Sequence, residues 1–576
     1  MKQNNLQVNK IRHSLSHIMA HSIKNLFKEV KFGIGPTIEN GFYYDFDLPQ
    51  SITPEDLPKI EKNMKDLIKK NIEFKKKQIT KTEAKKIFKN QPYKLELINE
   101  IKENKVSVYK SGDFIDLCSG PHIKSTKEIN PKAFKLTRVA GAYWKGDEKN
   151  TMLQRIYGIA FETEKELKDY LKKQEEAEKR DHRMLGQKLK LFIFNEKVGC
   201  GLPLWLPKGS TLRHTIEEYL YKELNENGYQ WVTTPHIANL ELWKASGHWQ
   251  LYRESMYSPI QVEKEQYLLK PMNCPFHVHI YNSEIRSYKD LPIRFAELGT
   301  VYRYERSGTL HGLTRVRGFT QDDAHIICAP SQLAKELKRT LKHGFKMLKD
   351  FGFKDYDIYL STRPEKFAGT PKNWEKATKA LKQVLAELKL KYKVDPGGGV
   401  FYGPKIDIKI KDSLNREWQC TTVQFDFNLP EKFDMNYVDE NGKKEKPYMI
   451  HRALLGSIER FIGVLLEHYA GALPLWLSPI QAYVIPIGTK HKKYAKELAK
   501  NLEKENIRIK LKDENETVGK KIRQAEIQKI PYSLIIGDKE VKAKTASIRN
   551  RKKGDLGSMK IEKIIEKIKK EIRNKN

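Results

Sequence analysis

The chain has 576 residues, which is enough for several domains with hydrophobic cores of their own. Its 107 Lys and Arg exceed its 73 Asp and Glu, and the net charge of +34 favours a polyanionic partner such as a nucleic acid, although a Lys-rich composition explains part of the excess. Its 5 cysteines are scattered, which excludes a disulfide framework and indicates a reducing, cytoplasmic compartment.

Residues 1–160 have the pattern of an independent α+β domain. Apolar residues at helical spacing predict a helix over residues 11–30, ended by a Gly-Pro segment. His13, His17 and His21 recur every fourth residue and therefore share one face of that helix. We expect His21 to be a neighbour of a site rather than a member of it.

A second motif in this domain is DLCSGPH, in which Cys118 and His122 flank a Gly-Pro turn just after Asp116. Joined with His13 and His17, the thiol and imidazoles have the spacing of a four-ligand zinc site. The same groups can instead hold a water molecule and transfer protons during hydrolysis without a metal. Spacing alone leaves both interpretations open.

Residues 161–185 are a run of charges with few apolar positions, typical of an exposed helical linker. The longest segment, 186–477, follows. It begins with a predicted amphipathic helix over 211–227 and a short β-rich stretch, 229–234, which stops at Pro235.

The most informative stretch of this segment is 293–325, where two extended runs joined by a polar loop predict a hairpin. The first run is expected to carry Arg303 and Glu305. The second, 318–327, carries Gln321, Asp322, Asp323 and His325. Guanidinium groups match phosphate oxygens in pairs, and carboxylates suit a ligand amine. Taken alone, the hairpin could equally be a charged surface element.

Three later segments complete the pattern of this domain. They are a glycine turn that leads into an alternating strand (395–407), a second alternating strand that presents Gln419 and Gln424 (418–427), and a predicted helix that contains Gly456 and Arg460 (451–461). Many strands with few βαβ units predict a mostly antiparallel sheet. The apolar run 461–477 contains Glu467 and His468, so no membrane span is expected.

Residues 478–576 alternate strands with helices and are rich in Lys and Arg, which predicts a small α/β domain that binds RNA. The predicted strands are 480–487, 507–511, 532–536 and 545–548, and the predicted helices are 491–505, 517–528 and 560–573.

Taken in order, these segments resemble the bacterial-type threonyl-tRNA synthetases, a family of class II aminoacyl-tRNA synthetases. HSLSH and DLCSGPH resemble the editing domain of the family. KPMNCPFH, VYRYE, RGFTQDDAH, GGGVFYGPK and HRALLGSIERF resemble its catalytic domain, and SPIQAYVIPIG, GKKIRQAEIQKIPYSLIIGDKEV and GDLGSM resemble its anticodon-binding domain. The resemblance covers essentially the whole chain. Longer family members carry a small ubiquitin-like domain ahead of the editing domain, which we do not expect here.

The resemblance implies an α+β multidomain protein. Its expected parts are an editing domain (1–160), a helical linker (161–185), a class II catalytic domain with an antiparallel sheet (186–477) and an α/β anticodon-binding domain (478–576). It also implies a homodimer with residues 211–227 and Pro235 at the interface. The expected substrates are ATP with Mg²⁺, L-threonine and tRNA(Thr).

The site residues implied by the resemblance fall into four groups. ATP is expected to bind Arg303, Glu305, Arg315, Phe319, Gln419 and Arg460, of which Arg303 and Arg460 act with Lys405 in catalysis. Threonine is expected to bind Met272, Gln321, Asp323, Tyr402 and Gln424. One zinc ion per subunit is expected on Cys274, His325 and His451, which spacing alone would not have joined. Anticodon bases are expected at Asn515, Arg523, Glu540 and Arg549.

A three-ligand zinc can bind the amino and hydroxyl groups of threonine and so reject valine, which has no hydroxyl group. Serine keeps both groups and lacks one methyl, which discriminates only about 10–200-fold, so a second, hydrolytic site is expected. The resemblance places it at His13, His17, Asp116, Cys118 and His122 and favours hydrolysis without a metal. Two alternatives remain: a class II synthetase for serine or proline, and an RNA-binding regulatory protein with an inert synthetase core.

Overall fold

The computed structural model describes the backbone of residues 2–575 and the side chains of residues 6–575. The chain forms two compact units, Met1–Glu176 and Ala177–Asn576. The combination of helices with largely antiparallel sheets confirms the predicted α+β multidomain fold class.

The first unit packs helices against two antiparallel sheets. Its helices are α1 (Lys2–Leu26), α2 (Leu57–Lys69), α3 (Lys81–Ile87), α4 (Pro92–Glu100) and α5 (Glu164–Lys179). Its strands are β1 (Lys31–Phe32), β2 (Thr37–Ile38), β3 (Gly41–Asp47), β4 (Phe74–Thr80), β5 (Lys105–Ser111), β6 (Phe114–Leu117), β7 (Phe134–Tyr143) and β8 (Met152–Ala160). The larger sheet has the order β1-β3-β8-β7 with β2 beside β3, and the smaller has the order β4-β5-β6.

Helix α1 differs from the prediction at both ends. It begins earlier than residue 11, because polar residues extend a helix without adding to the apolar repeat that reveals it. It ends at Leu26, before residue 30, and Glu29 adopts a left-handed φ of 59° that a helix cannot continue through. Its apolar face, with Leu15 and Ile18 fully buried, packs into the core of this unit.

The second unit begins with the elements around its central sheet. Its first helices are α6 (His182–Leu189), α7 (Pro207–Glu226), α8 (Leu240–Ala245), α9 (His248–Leu251), α10 (Cys274–Asn282), α11 (Leu333–Asp350), α12 (Pro371–Glu387), α13 (Leu429–Lys432) and α14 (Ile458–His468). Its first strands are β9 (Phe192–Ile193), β10 (Leu204–Trp205), β11 (Gln230–Trp231), β12 (Ile237–Asn239), β13 (Ile260–Val262), β14 (Glu265–Leu269), β15 (Ile293–Tyr302), β16 (Gly318–Cys328), β17 (Tyr356–Ser361), β18 (Lys393–Asp395), β19 (Lys405–Lys411), β20 (Glu417–Asp426), β21 (Tyr437–Val438), β22 (Lys444–Glu445) and β23 (Tyr448–Ser457).

The central sheet has eight strands in the order β11-β15-β16-β23-β20-β19-β17-β18. Every internal pair is antiparallel, and only the two edge pairs, β11 with β15 and β17 with β18, are parallel. This confirms the predicted mostly antiparallel sheet. The β-rich stretch predicted over 229–234 reduces to the two residues of β11, which pair with Phe295 and Ala296 of β15.

The predicted hairpin is present, but its first strand is shorter than predicted. Strands β15 and β16 pair from Ile293 opposite Ile327 to Tyr302 opposite Gly318. Arg303 and Glu305 therefore lie in the loop 303–317 and not on the strand. Arg303 N–H still donates to Arg317 O, but the pairing ends there because Arg317 N–H donates to Gly201 O and Tyr304 N–H donates to Ser255 O.

The helix predicted to open at His451 is a strand as far as Ser457. His451 pairs with His325 of β16 on one side and with Gln424 of β20 on the other, so the apolar run is fixed between two strands. Gly456 has a left-handed φ of 81°, and the Ser457 hydroxyl then accepts from Arg460 N–H at the start of α14. An apolar run of this length is compatible with either a strand or a helix. Here it is a strand because β16 and β20 pair with it on both sides.

The last part of the second unit has the strands β24 (Ala482–Pro486), β25 (Ile509–Leu511), β26 (Tyr532–Ile536), β27 (Thr545–Asn550) and β28 (Gly554–Lys560), and the helices α15 (Lys492–Lys504), α16 (Val518–Ile527), α17 (Asp538–Ala543) and α18 (Ile561–Arg573). The five strands form one sheet in the order β25-β24-β26-β27-β28. The prediction missed α17 and β28. Strand β28, GDLGSMK, lies at a sheet edge and lacks the apolar alternation that reveals a buried strand.

Within the described part of the chain, no helix is both long and apolar enough to cross a membrane.

Candidate active sites

A cavity of about 480 Å³ opens on the central sheet, and its walls come from β16, β20, β23, the loop 303–317 and the start of α14. Every residue predicted for the catalytic site lines it: Met272, Cys274, Arg303, Glu305, Arg315, Phe319, Gln321, Asp323, His325, Tyr402, Lys405, Gln419, Gln424, His451 and Arg460. These residues span almost 190 positions of sequence, and the pairing of the middle strands brings them together.

Within this cavity, Cys274, His325 and His451 bring their ligand atoms within 4.8 Å of one another. His325 and His451 face each other because they are direct partners in the β16–β23 ladder, and Cys274 begins α10 beside them. All three are buried. Sequence spacing could not have joined them, because the register of two strands places the imidazoles together.

The residues around these three fit a metal ion. His325 Nδ1 lies 2.8 Å from His277 Nδ1, and His451 Nε2 lies 2.9 Å from Asp426 Oδ2, which leaves one nitrogen of each ring for an ion. Burial lowers the pKa of His325 far below its ordinary value, so the ring is neutral as a ligand must be. Burial, with Asp323 and Asp426 nearby, raises the pKa of the Cys274 thiol, and a dication would reverse that effect.

Several polar contacts hold the residues predicted for threonine. Asp323 Oδ2 accepts a hydrogen bond from Asn273 Nδ2 at 2.9 Å, and Gln424 Oε1 accepts from the Tyr402 hydroxyl at 2.9 Å. Burial raises the pKa of Asp323 despite the Asn273 hydrogen bond. Asn273 also lines the cavity but was not predicted; its place beside Cys274 in KPMNCPFH was the available signal.

The residues predicted for ATP form a cationic and aromatic set. The Arg303 guanidinium lies 5.1 Å from the centre of the Phe319 ring, and Arg315 Nε donates to Glu305 Oε2 at 3.0 Å. Arg460 Nε is buried without a hydrogen-bond partner among the described residues. Such a cation in a cavity is suited to an anionic or π-rich ligand.

Lys405 and Gln419 meet at one acidic residue that the sequence analysis did not single out. Asp407 lies 2.8 Å from Lys405 Nζ and accepts from Gln419 Nε2 at 2.8 Å. Asp407 is buried, and it orients both side chains toward the cavity.

A second cavity, of about 540 Å³, lies in the first unit and is lined by His13, His17, Asp116 and Cys118. Cys118 Sγ is 3.3 Å from His13 Nε2 and 3.4 Å from His122 Nε2. The outer nitrogens of these rings are also bonded, His13 Nδ1 to Pro121 O and His122 Nδ1 to the Ser14 hydroxyl. The two predicted motifs are thus brought together by the packing of α1 against the turn after β6.

The imidazoles of His13 and His17 and the thiol of Cys118 are neutral near pH 7. Burial lowers the pKa of His13 and lowers that of His17 further, with His13 and Lys94 adding to the effect on His17. Burial raises the pKa of Cys118 to about 11. The ligand atoms of His13, His17, Cys118 and His122 also lie within 4.8 Å of one another, close enough for a metal, so geometry leaves both chemistries open.

Asp116 is held by two buried groups beside this cavity. Lys94 Nζ lies 2.5 Å from Asp116 Oδ1, and the Tyr44 hydroxyl donates to Asp116 Oδ2 at 2.6 Å. His21, which shares the face of His13 and His17, instead stacks on Phe114 outside the cavity lining.

The four residues predicted for the anticodon are spread over the last domain. Asn515 and Arg523 are exposed, before and on α16. Glu540 Oε2 accepts from Gly537 N–H at 3.0 Å, which caps α17, and Arg549 lies 3.5 Å from Glu526. The structure therefore gives Glu540 a structural contact and leaves the other three on the surface.

The cavity lies on a mostly antiparallel sheet and receives arginines from the loop 303–317 and from helix α14. This arrangement is that of the class II aminoacyl-tRNA synthetases. The match to the class II core domain of the G, H, P, S and T synthetases over residues 257–469 agrees. Residues 106–157 match the second additional domain of threonyl and alanyl tRNA synthetases, and residues 481–571 match an anticodon binding domain.

Comparison with known proteins identifies the family within this class. The chain is 54% identical over 98% of its length to the threonine–tRNA ligase of Sulfurihydrogenibium sp. (89% of that protein) and 50% identical over 98% of its length to that of Borreliella afzelii (98% of that protein). The chain belongs to the threonine–tRNA ligase family.

One solved structure agrees with this assignment, and a second shares only the fold. The RNA binding domain of threonyl-tRNA synthetase from Cryptosporidium parvum Iowa II is 40% identical with a TM-score of 0.66, covering 68% of this chain and 98% of that one. Prolyl-tRNA synthetase from Cryptosporidium parvum, solved with L-proline and AMP, is 18% identical with a TM-score of 0.53, covering 68% of this chain and 74% of that one, and shares the fold alone.

Proposed function

We propose that the chain attaches L-threonine to tRNA(Thr) through a threonyl-adenylate formed from ATP, and that it hydrolyses mischarged seryl-tRNA(Thr). The observation that carries this proposal is a single cavity lined both by Arg303, Arg315 and Arg460 and by the buried set of Cys274, His325 and His451. A triphosphate and a small amino acid can therefore meet in one enclosed space.

In the first step, the positioned substrates react with little covalent help from the protein. Arg303 is assigned to the α-phosphate and Arg315 to the outer phosphates, while Phe319 and Arg460 are assigned to the two faces of the adenine and Glu305 to its edge. Gln419 is assigned to ATP binding as well. A threonine carboxylate oxygen attacks the α-phosphorus in line, and the bond to the bridging oxygen breaks. Pyrophosphate leaves with Mg²⁺, and Lys405 with the arginines stabilises the charge that develops.

Cys274, His325 and His451 are assigned as the ligands of one zinc ion per subunit. When bound, the ion would take the amino and hydroxyl groups of threonine in its open coordination positions. Asp323 is assigned as an acceptor for the bound threonine, and the other residues assigned to the threonine pocket are Met272, Gln321, Tyr402 and Gln424. In the second step, a terminal hydroxyl of the tRNA attacks the threonyl carbonyl and AMP leaves.

The second cavity is assigned to hydrolysis of the seryl ester. Serine lacks one methyl of threonine, which is worth only about 1–3 kcal/mol of discrimination, so errors must be removed after transfer. His13 and His17 supply neutral imidazoles that can take a proton from a water molecule as it attacks the ester carbonyl, and Asp116, Cys118 and His122 hold them in place. We propose that this step needs no metal.

The remaining assignments concern binding and assembly. We assign residues 1–160 to editing, 161–185 to a linker, 186–477 to catalysis and 478–576 to anticodon binding through Asn515, Arg523, Glu540 and Arg549.

A homodimer is proposed through 211–227 and Pro235. Its support is the exposed Tyr221 ring, stacked on Trp231 with 4.8 Å between centroids. The five free cysteines fit a cytoplasmic location.

The deciding experiment is ATP–pyrophosphate exchange with each of the twenty amino acids. Threonine should support the fastest exchange, serine a slower one, and valine almost none. Fastest exchange with serine or proline would assign the chain to another class II activity. No exchange with any amino acid would favour an inert core with an RNA-binding or regulatory role.

A further inference from the structure

The loop 303–317 contributes Glu305, Thr314 and Arg315 to the cavity, yet its middle is anchored elsewhere. Leu313 is fully buried, and its backbone N–H donates to His182 Nε2 at 2.9 Å. A backbone N–H bonded to a buried imidazole, away from any strand ladder, indicates a dedicated anchor point for the loop.

The other side of the His182 ring connects this anchor to helix α14. His182 Nδ1 lies 2.6 Å from Glu467 Oε1, and Glu467 Oε2 accepts from Arg416 at 2.6 Å. Because Nε2 accepts from Leu313, Nε2 carries no proton, and the Nδ1–H must donate to Glu467. Burial alone would raise the pKa of Glu467, but the His182 hydrogen bond and Arg416 outweigh it and lower the pKa, so the acceptor is ionised.

The loop packs tightly against His182. Gly312 has a left-handed φ of 47°, and a Cβ there would lie 2.1 Å from His182 Nε2. On α14, a Cβ at Gly463 would come within 3.4 Å of Leu313 Cβ. The loop therefore approaches α6 at a distance that only glycine allows at position 312, and it packs closely against α14.

Asp181, His182 and Glu467 also lie close enough together to hold a metal ion. Both nitrogens of His182 are already engaged, however, one by a backbone donor and one by Glu467. Hydrogen bonding accounts for His182 completely, and a metal would have to displace Leu313 or Glu467.

We propose that His182 is a positioning residue for ATP: by tying Leu313 to Glu467, it sets the spacing between the loop that carries Arg315 and the helix that carries Arg460. The inference rests on the proposed function, because it takes ATP to lie between those two arginines. Loss of the two His182 hydrogen bonds frees the loop and weakens ATP binding. The residues on β16 and β20 that are assigned to threonine binding keep their positions.

Three variants of the zinc-loaded full chain separate the two hydrogen bonds of His182. His182→Phe keeps a ring and removes both bonds. His182→Gln can keep an acceptor near the position of Nε2, toward Leu313, whereas His182→Asn can keep only the donor near Nδ1, toward Glu467. A matched control is His491→Phe in the last domain, where the ring likewise accepts from a backbone N–H, that of Gly488, and lies 3.2 Å from Asp538.

ATP–pyrophosphate exchange should show KM for ATP raised about tenfold in His182→Phe, with KM for threonine changed less than twofold, since one buried donor loses its partner. Deuterium uptake by the peptide 305–316 should rise in parallel, and His182→Gln should restore both readouts more than His182→Asn. The His491→Phe control should match wild type.

Equal increases in both KM values, or a fall in kcat alone, would overturn the positioning role. If His182→Phe does not fold, equal KM values for ATP in the Gln and Asn variants would overturn it as well. Failure of the proposed function is distinguishable, because wild type would then show no threonine-dependent exchange at all.

Discussion

His277 lies directly behind His325, with 2.8 Å between the Nδ1 atoms of the two rings. His277 Nε2 is in turn 3.2 Å from Glu297 Oε2, and Glu297 Oε1 accepts from Thr234 N–H at 2.8 Å. If His277 Nε2–H donates to the carboxylate, its Nδ1 accepts from His325, and His325 Nε2 is left with a lone pair facing the cavity. A chain of buried groups thus selects the tautomer of His325 that can bind a metal.

This chain predicts weaker zinc binding when His277 is removed. His277→Phe should lower zinc affinity about 10–100-fold, because nothing then orients the His325 ring or holds its tautomer. Competition between the metal-free protein and a chelating dye measures the affinity directly. The control is His279→Phe, an exposed residue on the same helix, α10, which should bind zinc like wild type. Equal affinities in the two variants would contradict the arrangement.

The second prediction concerns which thiol of the cavity binds zinc. Both Cys274 and Cys420 line the cavity and are buried. Of the two, Cys274 is the one whose sulfur lies within 4.8 Å of ring nitrogens of both His325 and His451. Elemental analysis should find about one zinc per chain in wild type, a large loss in Cys274→Ala and no loss in Cys420→Ala. Threonine-dependent exchange should be lost with the metal. Zinc retained in Cys274→Ala would refute the ligand assignment.

The third prediction separates editing from charging. His13→Ala and His17→Ala should leave threonylation intact and let seryl-tRNA(Thr) accumulate, because these imidazoles line the second cavity only. His21→Ala is the control on the same face of α1 and should clear seryl-tRNA normally. Accumulation in none of the variants would place the hydrolytic site elsewhere.

We expect metal removal to affect threonine activation but not the hydrolysis of seryl-tRNA(Thr). Treatment with a chelator should abolish threonine activation, yet purified seryl-tRNA(Thr) should still be hydrolysed at the untreated rate. Loss of both activities, with both restored by added zinc, would show that the cluster of His13, His17, Cys118 and His122 works with a metal.

The fourth prediction concerns stability in acid. Burial, with Arg452 next in importance, lowers the pKa of His343 from the ordinary 6.5 to about 4. Between these values the unfolded chain binds more protons than the folded one, so stability falls as the pH drops through 6.5 and the loss is complete near pH 4. His343 accounts for up to about 1.4 kcal/mol per pH unit in that window.

Replacing His343 should therefore flatten the acid dependence. In His343→Phe, the midpoint of urea unfolding should drop less between pH 7 and pH 5 than it does in wild type, whatever its value at pH 7. His279→Phe, at an exposed position on α10, should follow the wild-type slope. Identical slopes for all three proteins would contradict the effect assigned to His343.

Much of the fold was predictable because local patterns reveal it. Alternation revealed β16 and β20, helical periodicity revealed α1 and α7, and strand β26 was predicted to the residue at Tyr532–Ile536. Errors occurred where two structures share one pattern. The apolar run from His451 to Ser457 became a strand because β16 and β20 flank it. Strand β15 ends before Arg303 because the N–H of the facing Arg317 donates to Gly201 O, outside the hairpin.

The sequence by itself determined the chemistry available to this protein: its ordered motifs named the family and the arginines, thiol and imidazoles it would use. Only the tertiary structure decided which groups meet. His325 and His451 lie 126 positions apart and face each other through strand register, and His277, Asp407 and His182 acquire partners from other elements. Residue order records neighbours along the chain, whereas contacts across strands and between packed helices depend on the whole fold.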